Sequence, residues 1–431
     1  MKFILQYILN LLSRWILNKY HPEIIGITGS VGKTSTKEAT YVVLSGRFNV
    51  RRNIKNYNNE LGLPLTIIGA ESGGKSPIIW LMIFGRAIKS IFKKDKKYPD
   101  ILILEMGADK PGDIRYLTDL APCKVGIVTA IGPTHVEFFK TVRKIAQEKQ
   151  IIVTHLKRDG VAILNGDDEL VAPMRTRTEA EVTTFGFNEK VDLRAAEVKV
   201  NQFLEKGIMV TNGMNFKIDH GGSLVPVFLP GVVGRQHVYA ALAGVAAGLA
   251  YGINLVEASG RLQHYVAPPS RMRILDGIKY TTLIDDTYNS SPLAVLAALD
   301  ILNDVQVTEG GRKFVVLGDM LELGSYTEEA HRKVGEKVAQ LKVDFLVTVG
   351  ERAKFIAQAA QDKNFPEDKI AKFANAKEAG LFLQEKIKTG DLVLIKGSQG
   401  VRMEKIVVEL MAEPLKAEEL VCRQDASWKK K

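Results

Sequence analysis

The chain has 431 residues, of which 46% are hydrophobic and 25% charged, and its net charge is +10. This is the composition of a globular protein with room for two or three domains, each with its own core. Cys123 and Cys422 are the only cysteines, which excludes a disulfide framework and a cysteine metal site and points to a reducing, cytoplasmic setting. The positive balance fits nucleic acid, anionic lipid, a phosphorylated substrate or an ordinary basic surface, and charge alone does not choose among them.

At the N-terminus Phe3, Ile4, Tyr7, Ile8, Leu11, Leu12, Trp15 and Ile16 recur at helical spacing, interrupted by Lys2, Gln6, Asn10, Ser13 and Arg14. The stretch is too polar for a membrane span, which takes about 20 mostly apolar residues, and it lacks the small-residue cleavage site of a signal peptide. Residues 1–20 read as an amphipathic helix, packed on the body of the protein or lying on a membrane surface.

Ile24, Ile25 and Ile27 then read as the end of a buried strand, and residues 36–44 as a helix. Between them stands Thr28-Gly29-Ser30-Val31-Gly32-Lys33-Thr34-Ser35. A glycine-rich turn from strand to helix presents backbone N–H groups and a helix N-terminus to a phosphate. Lys33 is placed to reach the terminal phosphates, and the Thr34 hydroxyl to hold Mg²⁺. The pattern G-x-x-x-x-G-K-[ST] is not met in full, because Ile27 stands at its first glycine. The bland alternative is a tight turn with a chance Lys-Thr after it.

Asn56, Asn58, Asn59 and Glu60 follow in a polar loop. Such a loop suits a polar ligand, or simply a capped turn. Residues 71–98 look inserted: an apolar run from Pro77 to Phe84 and a second patch ending at Phe92, decorated by Lys75, Arg86, Lys89, Lys93, Lys94, Lys96 and Lys97. That composition fits a membrane-surface helix or a hairpin packed on the N-terminal helix. Residues 101–107 read as a buried parallel strand with Glu105 at its C-terminal end, the edge where open α/β sheets bind ligands. Residues 125–130 form another such strand and lead to His135, and the helix at 141–155 carries Lys149. A further strand at 161–165 closes on Gly166-Asp167-Asp168.

Residues 171–230 read as short, mostly antiparallel strands. Gly234-Arg235-Gln236-His237 opens an alanine-rich helix suited to close packing, and Pro268-Pro269-Ser270 marks a domain junction. From 271 onward a βα rhythm returns, with strands at 280–284, 314–317, 345–349 and 392–395, and polar residues sit just past three of them: Asp285, Asp286 and Asn289; Asp319 and Glu322; Lys396 and Ser398. The expected fold is therefore α/β: a P-loop central domain at 21–269 with a mostly parallel sheet, then a doubly wound, Rossmann-like domain at 270–431.

Taken together, Thr28–Thr34, Asn56-Tyr57-Asn58-Asn59-Glu60, Leu104–Gly107, Thr134–Glu137, Ser270-Arg271-Met272, Asp285–Asn289, Leu317–Gly324 and Lys396-Gly397-Ser398 resemble the Mur ligases of bacterial cell-wall synthesis. The resemblance runs from about Ile24 to about Glu409 and leaves out the insertion. It implies an ATP-dependent amide ligase that phosphorylates a carboxylate and lets an amine attack the acyl phosphate, adding D-alanyl-D-alanine to a muramoyl-peptide precursor. It implies catalytic roles for Lys33, Glu105, His135, Lys149 and Arg271. It implies Mg²⁺ ligation by Thr34, Glu105, His135 and a carbamylated Lys149. ATP contacts are implied for Thr28–Ser35, His237, Arg271, Asp286 and Asn289, and substrate contacts for Asn56, Asn58, Asn59 and Glu60.

The family usually carries an N-terminal domain that grips uridine diphosphate; here one amphipathic helix stands before His21. The expectation is a cytoplasmic, monomeric enzyme acting on a muropeptide and an amine or dipeptide, with 1–20 and 71–98 offering peripheral contact with the inner membrane surface. A Mur-like ligase on another acid, such as polyglutamate or a lipid-linked substrate, and a membrane-associated, non-catalytic ATP-binding module are the alternatives. A nucleic-acid partner ranks last, since no nucleic-acid module is present.

Overall fold

The computed structural model describes residues 2–53, 57–133, 136–425 and 428. The chain forms two compact units. One comprises Met1–Val198, Phe216–Phe228 and Arg235–Val266; the other comprises Lys199–Asn215, Leu229–Gly234 and Ala267–Lys431.

The first unit opens with helix α1 (Lys2–Tyr20), then β1 (Glu23–Thr28), α2 (Lys33–Leu44), β2 (Val50–Arg52), α3 (Gly62–Ile68), α4 (Pro77–Phe92) and β3 (Ile101–Glu105). It continues with α5 (Asp113–Leu120), β4 (Val125–Val128), α6 (Val136–Phe139), α7 (Val142–Thr154), β5 (Val161–Asn165) and β6 (Glu181–Gly186). A ribbon of β7 (Leu193–Glu205), β8 (Ile208–His220) and β9 (Ser223–Pro230) leads to α8 (Arg235–Ala250) and α9 (Leu255–Arg261). The sheet order is β2-β3-β1-β4-β5-β6-β7-β8-β9, and pairing is parallel from β2 through to the β6–β7 contact. After Glu23, every residue of β1 is buried, as are all of β3 and β4. Unbroken apolar runs of this kind belong to parallel strands covered on both faces.

Three local expectations change. The helix after the glycine turn begins at Lys33 rather than residue 36, so Lys33 and Thr34 stand on its first turn. The insertion holds one helix, α4, that packs on α1, rather than a hairpin. The ribbon strands β7 and β8 are 13 residues long rather than short. Lys206-Gly207 and Gly221-Gly222 join them, all with positive φ, the signature of two-residue hairpin turns whose twist matches the strands.

The second unit holds β10 (Arg273–Gly277), β11 (Thr281–Asp286), α10 (Pro292–Asp304), β12 (Lys313–Gly318), α11 (Thr327–Gln340) and β13 (Phe345–Val349). After them come α12 (Lys354–Asp362), β14 (Ile370–Phe373), α13 (Ala376–Lys386), β15 (Leu392–Lys396), α14 (Glu404–Leu410) and α15 (Ala417–Leu420). Strand order is β10-β11-β15-β12-β13-β14, parallel throughout except for β10. Helices alternate with the parallel strands, as a doubly wound domain requires. The tip of the ribbon also belongs to this unit. Gln202 and Gln306 exchange hydrogen bonds at 2.9 Å, and Met209 N donates to Thr308 Oγ1 at 2.8 Å. A single boundary at 269–270 therefore does not describe the units.

The alanine-rich α8 packs on α2. A Cβ at Gly244 would lie 2.8 Å from the Ala39 carbonyl carbon, whereas one at Gly260 would meet nothing within 4 Å. Gly244→Ala is expected to destabilise the protein by about 1–3 kcal/mol through overpacking. Gly260→Ala is expected to be neutral or slightly stabilising. Urea midpoints of the two variants check this contrast.

Candidate active site

The turn between β1 and α2 is set by two glycines. Gly29 has φ 147° and Gly32 φ 90°, both outside the range L side chains favour. A Cβ at Gly29 would sit 1.9 Å from Thr129 Oγ1. That hydroxyl donates to Val31 O at 2.6 Å, Ser30 N donates to Ala130 O at 2.6 Å, and Ser30 Oγ donates to Gly132 O at 3.0 Å. Thr28 Oγ1 donates to Met106 O at 2.9 Å, which ties the end of β1 to the end of β3. The loop is thus clamped to the segment after β4 on one side and to β3 on the other. Val31 stays exposed at its tip, and Ser35 is buried in the first turn of α2.

Lys33 folds back over this loop, its Nζ donating to Gly29 O at 2.7 Å. Thr34 Oγ1 donates to the Glu105 carboxylate at 3.1 and 3.3 Å. Ile27 pairs with Glu105 across the β1–β3 ladder, so the register itself brings that carboxylate beside the start of α2. A hydroxyl and a carboxylate at the foot of a phosphate-binding turn are the hard oxygen donors that Mg²⁺ takes when phosphate oxygens complete its shell. Glu105 and Thr34 fit that ion. Among the described residues no group of three His, Cys, Asp or Glu side chains forms a metal cage by itself.

Lys149 is 3% exposed on α7. Burial, and then the charge of Lys33, lower its pKa from 10.5 to about 7, against the opposite pull of Glu148 and Asp109. The Glu148 carboxylate accepts from Gly112 N at 2.9 Å and Ile114 N at 2.8 Å, holding the N-terminus of α5. Lys149 makes no ion pair among the described residues, so its charge is poorly compensated.

The polar loop behaves partly as a turn. Asn59 Oδ1 accepts from Leu61 N at 3.3 Å and Gly62 N at 3.0 Å. Asn58 lies against Gly107, whose N donates to Asn58 O at 2.8 Å, and Glu60 is half-buried beside them. Asn56 and His135 lie outside the described residues.

His237 is fully buried in α8, and its Nδ1 lies 3.0 Å from the Tyr265 hydroxyl. Its neighbours form an arrangement that the sequence reading did not single out. The Arg235 guanidinium lies 5.0 Å from the Phe187 ring, Tyr239 packs edge-on at 4.8 Å, and the Tyr239 hydroxyl donates to Asp167 Oδ2 at 2.8 Å. The available signal was Gly166-Asp167-Asp168 at the end of β5. Asp168 also serves the site, accepting from Ile131 N at 2.7 Å.

In the second unit, the ends of β11 and β15 collect the remaining residues. Lys396, 2% exposed, pairs with Asp286 at 2.6 Å and donates to Asn289 O at 2.9 Å. Asp286 Oδ1 accepts from Met272 N at 3.2 Å, next to Arg271, whose guanidinium sits 4.0 Å over the Tyr288 ring. Ser270 and Met272 both have positive φ, so Arg271 stands in a sharply turned backbone. Asp285 is fully buried, accepts from Ser270 Oγ at 2.8 Å and Thr287 Oγ1 at 2.7 Å, and is raised to about 6 by burial. Lys396 and Arg423 are the residues missing from the predicted set. Arg423 Nη1 donates to Thr287 O at 3.0 Å and lies 3.2 Å from Glu404, fixing the same loop from the C-terminal segment.

The Mur ligase middle domain matches residues 87–248, and the Mur ligase glutamate ligase domain matches residues 270–399. The UDP-N-acetylmuramoyl-tripeptide–D-alanyl-D-alanine ligase of Bacillus subtilis is 30% identical over 405 residues, covering 94% of this chain and 79% of that protein. The chain belongs to the Mur ligase family. Among solved structures, a crystal structure of MurF from Acinetobacter baumannii superposes on this Mur ligase with TM-score 0.75 at 26% identity, over 93% of this chain and 79% of that one. The MurF ligase of Thermotoga maritima in complex with ADP gives 0.73 at 27% identity, over 95% and 84%.

The depressed pKa of Lys149 has a thermodynamic consequence with a defined sign. The unfolded chain binds its proton up to about pH 10.5, the folded one only up to about 7. Between those values the unfolded state holds more protons, so stability rises with pH. Lys149→Met is therefore expected to stabilise the fold at pH 6, with a gain that shrinks toward pH 10. Denaturation midpoints of both proteins across that range measure the difference.

Proposed function

We propose that this Mur ligase is an ATP-dependent carboxylate–amine ligase that joins D-alanyl-D-alanine to a muramoyl-peptide acid. The observation that carries the reading is the assembly of Lys33, Thr34 and Glu105 on one glycine turn, with the depressed Lys149 close enough to feel Lys33. Phosphoryl transfer needs chiefly positioning and neutralisation of charge. The N–H groups of residues 32–34 and the Lys33 ammonium would hold the phosphate chain of ATP. A carboxylate oxygen of the acid attacks the γ-phosphorus, the bond to the β-phosphate oxygen breaks, and ADP leaves. The amine nitrogen then attacks the carbonyl carbon of the acyl phosphate, inorganic phosphate departs, and the nitrogen loses a proton.

Mg²⁺ would be held by Thr34 and Glu105, with His135 proposed as a ligand of a second ion, and would supply charge neutralisation on the phosphates. The clamp of Thr129 on Val31 keeps the loop in place as charge builds there. Lys149 is proposed to react as the neutral amine: its Nζ bonds to the carbon of carbon dioxide and gives up a proton to solvent, leaving an anionic carbamate. In the second unit Arg271 is proposed to bear on the phosphates, and the Asp286–Asn289 loop on the nucleoside. Asn56, Asn58, Asn59 and Glu60 are proposed as the polar wall for the peptide acid, with Asn59 also capping its turn.

Two experiments test the reading. Lys33→Ala is expected to lower acid- and amine-dependent phosphate release by about 10²–10³-fold, with an unchanged melting temperature. Near-normal turnover would displace the nucleotide site. Lys149→Ala is expected to lose ligation and to recover part of it with added short carboxylates. A fully active Lys149→Arg would end the carbamate proposal, since arginine keeps its charge.

A further inference from the structure

The insertion helix α4 is apolar on two sides. Its inner side holds Ile83 and Ala87, both buried. Its outer side carries Ile78, Leu81, Met82 and Phe92, exposed by 70%, 69%, 68% and 86%. A helix packed only on its own protein shows a polar outer face, so this second apolar row has no role inside the fold.

The orientation of α4 is fixed. Lys19 Nζ donates to Ser90 O at 2.9 Å and Ile91 O at 2.8 Å, and the Tyr20 hydroxyl donates to Ser90 O at 2.9 Å. Tyr20 also stacks on Tyr98 at 4.1 Å. Helix α1, held by these contacts, leaves a row of its own uncovered: Ile4, Tyr7 and Trp15, exposed by 66%, 70% and 49%.

Charge identifies the occupant. Arg86, Lys89, Lys93, Lys94, Lys96 and Lys97 border the outer row, and none of them makes an ion pair among the described residues. Asp95, the one acid among them, accepts from Lys97 N at 2.9 Å and shapes a turn. A second copy of this chain would set the same lysines against one another across a two-fold contact. An anionic surface would neutralise them. No helix among the described residues is long and apolar enough to cross a membrane. The 16 residues of α4 suit the other geometry, a helix lying in the interface with its apolar face down and its basic residues at the headgroups.

We propose that the outer face of α4, together with the exposed row of α1, docks this protein on an anionic phospholipid surface. The proposal stands independently of the ligase reading, because none of these residues belongs to the catalytic turn.

The test is co-sedimentation of the full chain with vesicles of phosphatidylcholine, with and without phosphatidylglycerol. The expected result is binding that requires phosphatidylglycerol at about 0.1 M salt and is lost near 1 M, where screening is complete within about 3 Å. Lys93→Gln with Lys94→Gln is expected to weaken partitioning by roughly 30-fold. Leu81→Glu with Phe92→Glu, both at exposed positions, is expected to abolish it while ATP turnover in solution is kept. The proposal fails if the wild-type chain stays in the supernatant at low salt, or if the Leu81→Glu, Phe92→Glu protein binds equally well. It also fails if sedimentation velocity shows a dimer that this double substitution dissociates, since a second copy would then cover the face.

Discussion

The catalytic half of the molecule depends on how closely the backbone after β1 passes the end of β4. At Gly29 the space for a side chain is already occupied by the Thr129 hydroxyl. The same hydroxyl binds Thr28 O at 3.2 Å and Val31 O at 2.6 Å, so the turn can neither widen nor roll. Gly32, also left-handed, then ends the turn and starts α2. Lys33 and Thr34 emerge on the first helical turn as a consequence. The parallel register Ile27–Glu105 on one side and Thr28–Val128 on the other decides what they meet. One threonine hydroxyl and one strand register thus place a cation, a hydroxyl and a carboxylate together.

Much of this was legible in the sequence, because the elements concerned are the ones with strong local rules. The apolar runs of β1, β3, β4 and β5 have no helical period and end in Thr28, Glu105, Thr129 and Asn165, so both the sheet and its polar edge could be read. The doubly wound second unit followed from the same alternation. The short edge strands β2 and β14 escaped, having too few residues to show a period. The antiparallel β10 escaped because its mixed residues, Arg273 to Gly277, imitate a loop. In the long ribbon, lengths were misjudged because Gly213 and Asn215 look like turn residues, yet β8 runs through them.

His237 shows a different limit. Motif position suggested a ligand contact, but the helix phase turns that imidazole toward Tyr265, with Arg235 and Tyr239 left nearer the surface. Sequence spacing gave the element, and only packing could give the face. Lys396 and Arg423 illustrate the same limit. Each acts on the 285–289 loop from a distant part of the chain, through partners that no local pattern announces.

Two buried lysines show how the fold uses one residue type for opposite ends. Lys396 lies beside Asp286 and a backbone carbonyl, so its charge is compensated where water is excluded. It behaves as a strut that holds the Asp286–Asn289 loop against β15. Lys149 is as deeply buried, but the neighbouring Glu148 spends both carboxylate oxygens on the α5 backbone, and Lys33 adds a like charge. Its protonated form is therefore disfavoured, and near neutral pH a substantial share is the free amine. Pairing keeps a buried lysine charged, while burial without a partner favours the neutral amine. What separates the two environments is the partner: Lys396 has a carboxylate at 2.6 Å, whereas Lys149 meets burial and the like charge of Lys33 with no ion pair among the described residues.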